Sequence, residues 1–269
     1  MAKTRWVPTR KRFVAFMDIM GFKDWIYREP HESVLDRMQS LQLNIEALDS
    51  LAEERLKIPE SAPANWANLQ GPLGRYPVKP VLFSDSILFI SMDDSARSFF
   101  SLLFDVRLLI NCALAKQIPV KGAIAYGMQT ADLGKALYFG RPLIDAYELQ
   151  NDLLLYGVVL HHSAEHYVIA TEQMPVFEGT QLLNKYQTPF KGGDVTHYVV
   201  GYRDDQEMDI PRSLETLVSR LYQTVSGPTR CYVDNTLDFA IWFSDRHERR
   251  VNESTQFKVR KKKPQAPAL

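Results

Sequence analysis

The chain has 269 residues, 45% hydrophobic and 24% charged, with Lys+Arg and Asp+Glu equal at 32 each. That composition is ordinary for a globular protein with a sizeable core, and zero net charge argues against a protein built mainly to coat nucleic acid. Neither of its cysteines, Cys112 and Cys231, belongs to a CxxC or a His/Cys cluster, so a zinc site is not expected. Both lie in apolar, helical-looking text and read as buried thiols in a reducing cytoplasm. No apolar run reaches membrane-spanning length, and no signal-type core follows the basic N-terminal arm, residues 1–11.

Phe13 to Ile19 is short and apolar and ends before Gly21, which predicts a buried strand. Over 33–56, Val34, Leu35, Met38, Leu41, Ile45, Leu48 and Leu51 recur at spacings of three and four, the pattern of an amphipathic helix. The Pro-, Gly- and Asn-rich stretch 59–80 predicts a long loop or flap. Val78 to Phe83 and Ile87 to Ile90 predict a hairpin turning at Ser84-Asp85-Ser86. A helix over 96–117, a strand over 120–126 and a helix over 141–155 follow, then a short helix near Ser163 and strand text around Gly192-Gly193. Helices are expected over 211–225 and 229–243, and a disordered basic tail over 260–269. The organisation read from this is an arm at 1–11, a main domain at 12–205, a helical extension at 206–259 and the tail.

The order β, α, β-hairpin, α, β predicts an α+β fold with a ferredoxin-like βαββαβ core, an antiparallel-rich sheet with helices on one face. In that topology the first strand lies beside the hairpin. Asp18, closing the first strand, and Asp85, at the hairpin tip, therefore meet at one end of the sheet. Two carboxylates on rigid strands suit Mg²⁺ or Mn²⁺ shared with phosphate oxygens. Taken singly, either Asp also reads as a turn former or cap.

These residues resemble a known family. Phe16-Met17-Asp18-Ile19-Met20-Gly21-Phe22 is similar to the first metal motif of class III nucleotidyl cyclases, and Phe83-Ser84-Asp85-Ser86 resembles their metal-bearing hairpin. The strand Lys121 to Gly127 and the run Gly140 to Leu149 resemble two later cyclase segments, so that the likeness covers about 12–150. The positions that read a purine base are Val81 and Leu137 here, and the transition-state Asn and Arg positions are Ile144 and Glu148. Among class III relatives this pattern is most like the pyrimidine cyclases of Pycsar anti-phage systems.

The resemblance implies a homodimer with composite sites that cyclises UTP, in preference to CTP, to the 3′,5′-cyclic monophosphate and pyrophosphate. A separate effector protein would respond to the product, and neither nucleic acid nor membrane is an expected partner. Two ions, Mn²⁺ or Mg²⁺, would be held by Asp18, Asp85 and the Ile19 carbonyl. Phe16 would pack on the nucleotide. The N–H groups of Met20, Gly21 and Phe22 would face the triphosphate, with Lys79, Lys121 or Arg141 as the basic side chain. Against this stand a catalytically silent nucleotide-binding domain, a scaffolding role and a metal-dependent nuclease.

Overall fold

The computed structural model describes residues 6–55, 78–202 and 214–262. The predicted loop over 59–80 lies mostly outside them, as do the start of the arm and most of the tail.

Strand β1 (Thr9–Ile19) is longer than its apolar run. Phe13, Val14, Ala15, Met17 and Ile19 are at most 1% exposed, so both faces of its middle are covered. The short α1 (Phe22–Arg28) and the long α2 (His31–Arg55) follow. Val34, Leu41 and Ile45 turn the predicted face of α2 inward, but Leu35 stays 45% exposed. Strands β2 (Lys79–Phe83) and β3 (Ser86–Ile90) form the expected hairpin, joined at Ser84-Asp85, where Ser84 takes φ 55°.

Helix α3 (Ala96–Ala115) is buried almost all round. Ser95 caps it by accepting the N–H of Ser98, and Asp93 braces the cap by accepting from the hydroxyls of Ser95 and Ser98. Among the described residues α3 alone is long and apolar enough to pass for a membrane span, contrary to the sequence reading. It is instead the central core helix, with 83% of that window buried. Cys112 in α3 and Cys231 in the last helix are half-buried rather than enclosed.

Next come β4 (Val120–Asp132), β5 (Leu137–Gly140), α4 (Arg141–Asp152), β6 (Val158–Leu160), α5 (His162–Ala170), α6 (Met174–Gly179), β7 (Leu183–Phe190) and β8 (Gly193–Val200). After 214 lie α7 (Leu214–Ser219) and the long α8 (Arg230–Lys262). The described strands form one eight-stranded sheet of order β2-β3-β1-β4-β6-β8-β7, with β5 on the end of β4. The pairing is antiparallel except for β4 with β6. The fold is therefore α+β, and its first half has the β4-β1-β3-β2 order of the expected core.

Helices α2 and α3 back one face, where Phe13 meets Phe99 at 4.3 Å between ring centroids. Part of the opposite face is covered by α4. There Leu143 packs on Val14, Ile90 and Ala131, and Tyr147 meets Phe16 edge-on at 5.3 Å. That layer leaves a cleft between α4 and the β2–β3 hairpin.

Candidate functional site

The sheet register places the two carboxylates. Asp18 pairs with Ser86 on β3 and with Lys121 on β4, and the backbone N–H of Ile19 donates to the Asp85 carbonyl at 2.8 Å. The hairpin tip is thus tied to the last residue of β1. Both side chains are half-buried. Burial pushes the Asp18 carboxyl up to about 6, the negative charge of Asp85 adds to the rise, and Lys121 opposes it. A carboxylate raised partly by a like-charged neighbour is one that a cation would relieve. Among the described residues no group of three or more His, Cys, Asp or Glu side chains could hold a metal. Two carboxylates leave most positions of a hard cation open, so the pair would hold one only together with phosphate or water.

Two glycines shape this end of the sheet. Gly21 precedes α1 with φ 79°, a left-handed turn that favours glycine. A Cβ on Gly122 would stand 2.5 Å from Met17 Cγ and 2.5 Å from the Phe16 carbonyl oxygen, so its bare backbone is what lets β4 approach β1 beside Asp18. The N–H of Met20 donates to the Pro119 carbonyl at 2.9 Å. That corrects its expected role, since a donor already used in closing the sheet end does not face a triphosphate. Gly21 and Phe22 remain at the turn.

Phe16 lies two residues before Asp18 on the same strand face, and Val81 shares that face through Leu88. Together with Phe83, Ser86, Leu143, Ile144 and Tyr147 they line a cavity of about 310 Å³ with almost wholly apolar walls. Leu137 is not among the lining residues; it stands 47% exposed at the start of β5. The α4 residues of the cavity, at 143, 144 and 147, follow helical spacing, and Ser86 and Leu88 follow strand alternation. These periodicities were the available signal for residues the sequence reading did not assign to the site.

The three candidate cations differ. Lys79 is half-buried at the end of the hairpin away from Asp85, paired with Ile90. Arg141 projects from the first turn of α4 with its side chain 82% exposed, 3.5 Å from Asp145. Lys121 is only 4% exposed, and its ammonium donates to the carbonyls of Leu153 and Asn151 at 3.3 and 3.4 Å. Burial, with the charge of Lys191, lowers it to about 8. The Tyr126 hydroxyl donates to Asp94 at 3.1 Å. His161 caps α5 through Ser163, which leaves it a structural role.

No family model and no curated protein matches the chain. Solved structures do. The monomeric guanylyl cyclase domain of the RhoGC fusion protein from the aquatic fungus Blastocladiella emersonii is similar at 12% identity and TM-score 0.47, over 74% of this chain and 100% of that one. The catalytic core of a rhodopsin-guanylyl cyclase with converted specificity, in complex with ATPαS, is similar at 14% identity and TM-score 0.49, over 74% and 100%. A bacterial light-regulated adenylyl cyclase is similar at 10% identity and TM-score 0.44, over 81% and 99%.

Proposed function

We propose that this chain is a nucleotidyl cyclase that converts a pyrimidine nucleoside triphosphate, UTP in preference to CTP, into its 3′,5′-cyclic monophosphate and pyrophosphate. The observation that carries the reading is the convergence of Asp18 and Asp85, far apart in sequence, through the β1–β3 ladder and the Ile19–Asp85 hydrogen bond. Asp18, Asp85 and the Ile19 carbonyl would hold Mn²⁺ or Mg²⁺, and the ion would supply acidification of the ribose 3′-hydroxyl and charge neutralisation at the leaving pyrophosphate. Asp18 and Asp85 fix the position of the triphosphate relative to the sheet end. The turn at Gly21 and Phe22 gives the chain a close backbone approach to it.

The apolar cavity supports the base preference. Val81 carries no donor or acceptor with which to read a purine edge, and apart from the Ser86 and Tyr147 hydroxyls the side chains around it are apolar. Three of its walls are also strongly exposed: Phe83 at 78%, Ile144 at 58% and Tyr147 at 49%. A second copy of the chain covering that surface would complete both sites, in keeping with a homodimer. The cyclic product would activate a separate effector in anti-phage signalling, as the resemblance to Pycsar cyclases suggests.

A catalytically silent nucleotide-binding domain is the second reading, favoured by Ile144 and Glu148 standing where the resemblance expects an amide and a guanidinium. Incubation with each of the four NTPs and Mn²⁺, followed by mass spectrometry, separates the two. A cyclic pyrimidine nucleotide made by wild type and lost in Asp18→Ala supports the cyclase. Absence of any cyclic product, with nucleotide still bound, supports the silent domain.

A further inference from the structure

We infer that Lys121 is a fixed internal counter-charge to the carboxylate pair, held in place by the C-terminal helix α8, and that it weakens the binding of a divalent cation in the absence of nucleotide. The inference rests on the proposed role of Asp18 and Asp85. A lysine is almost never buried without a partner, yet Lys121 is 4% exposed. Its partners are neutral. The carbonyls of Leu153 and Asn151, at the C-terminal end of α4, accept from its ammonium, and the ring of Tyr232 lies 5.4 Å away. These contacts fix the charge without cancelling it. Asp18 stands directly opposite on the β1–β4 ladder, and residues so paired point to the same face. Of the other nearby charges, Lys191 disfavours and Asp152 favours the ammonium, and the two stand 3.9 Å apart.

The first two turns of α8 hold this arrangement. Tyr232 stacks on Tyr156 at 5.4 Å, Asn235 donates to the Leu154 carbonyl at 2.8 Å, and the Thr236 hydroxyl accepts the N–H of Tyr156 at 2.9 Å. Residues 153–156 are thereby clamped, and with them the Leu153 carbonyl that anchors Lys121. A positive charge fixed across the ladder offsets the repulsion between Asp18 and Asp85 when no cation is bound. It also repels a lone incoming dication and attracts a polyphosphate. Lys121 is thus a positioning residue that favours joint binding of cation and nucleotide.

The test is a Mn²⁺ titration of the full chain by electron paramagnetic resonance at pH 7.5 without nucleotide. Lys121→Gln retains a donor for the two carbonyls and removes the charge, and it should tighten Mn²⁺ binding roughly tenfold. Lys121→Arg should stay near wild type. Lys121→Met provides the same charge removal if the Gln variant does not fold. An unchanged or weaker affinity in a charge-removing variant with a wild-type melting temperature overturns the inference. Its failure is distinct from that of the site itself: if Asp18→Ala binds Mn²⁺ as wild type does, the carboxylate reading fails and takes this inference with it.

Discussion

The backbone N–H of Ile19 donates to the carbonyl oxygen of Asp85 at 2.8 Å, joining the end of β1 to the tip of a hairpin more than sixty residues further along the chain. One side chain on each side of that bond is a carboxylate. Backbone pairing thus brings the two acidic residues to the same end of the sheet. Removing either carboxylate, as Asp18→Asn or Asp85→Asn, should lower cyclic-product formation by roughly a hundredfold or more. Circular dichroism of the variants should stay unchanged, because the ladder remains.

Asp18 also sets a pH dependence. Its folded pKa is raised from 3.8 to about 6, so the folded state holds the proton more tightly than the unfolded chain does. Stability should therefore fall as pH rises from about 4 to about 6, with the full penalty above that window, and activity should rise through the same limb as the carboxylate becomes available to a cation. Asp18→Asn should flatten the stability limb in chemical denaturation. Asp85→Asn should move the Asp18 titration downward in a carbon-13 NMR experiment, because the charge of Asp85 is one cause of the rise.

Gly122 is predicted to tolerate no side chain. A methyl group there would enter the space of Met17 Cγ and the Phe16 carbonyl, each at 2.5 Å, and part β4 from β1 at the site. Gly122→Ala should cost about 2–3 kcal/mol in urea denaturation. Gly21→Ala meets no neighbour, so its cost is confined to the positive φ and should be smaller, about 1 kcal/mol.

The exposed rim of the cavity should govern assembly. Ile144→Asp places a charge on a surface where Phe83 and Tyr147 are also exposed, and should weaken the proposed dimer at least tenfold, read as a shift toward monomer in light-scattering chromatography. Val81→Lys should raise the KM for a pyrimidine nucleotide roughly tenfold by placing an unpaired amine among apolar walls.

The first half of the fold was legible because its signals are local. Alternating or continuous apolar runs bounded by Gly, Pro and Ser gave β1, the hairpin and α3, and strand order followed from connection rules. The three-residue β6 and the four-residue β5 are too short to show a period, and β7 carries Asn184, Lys185, Gln187 and Pro189, which hide a strand in polar text. The acidic pair was visible as motif and topology together. The interior fate of Lys121 was not, since its partners are backbone carbonyls and a ring on α8, which side-chain identity alone does not reveal. Arg12 was hidden for the same reason. It is wholly buried, donates to the carbonyls of Ser91 and Met92, and lies against Trp6 at 4.0 Å.

The convergence of Asp18 and Asp85 on shared cations is tested most directly by anomalous diffraction from crystals grown with Mn²⁺ and a non-cyclising UTP analogue. The predicted result is manganese density within about 2.5 Å of carboxylate oxygens from both residues and of the nucleotide phosphates. Manganese bound elsewhere, or by only one of the two acids, with the analogue seated in the cleft, would contradict it.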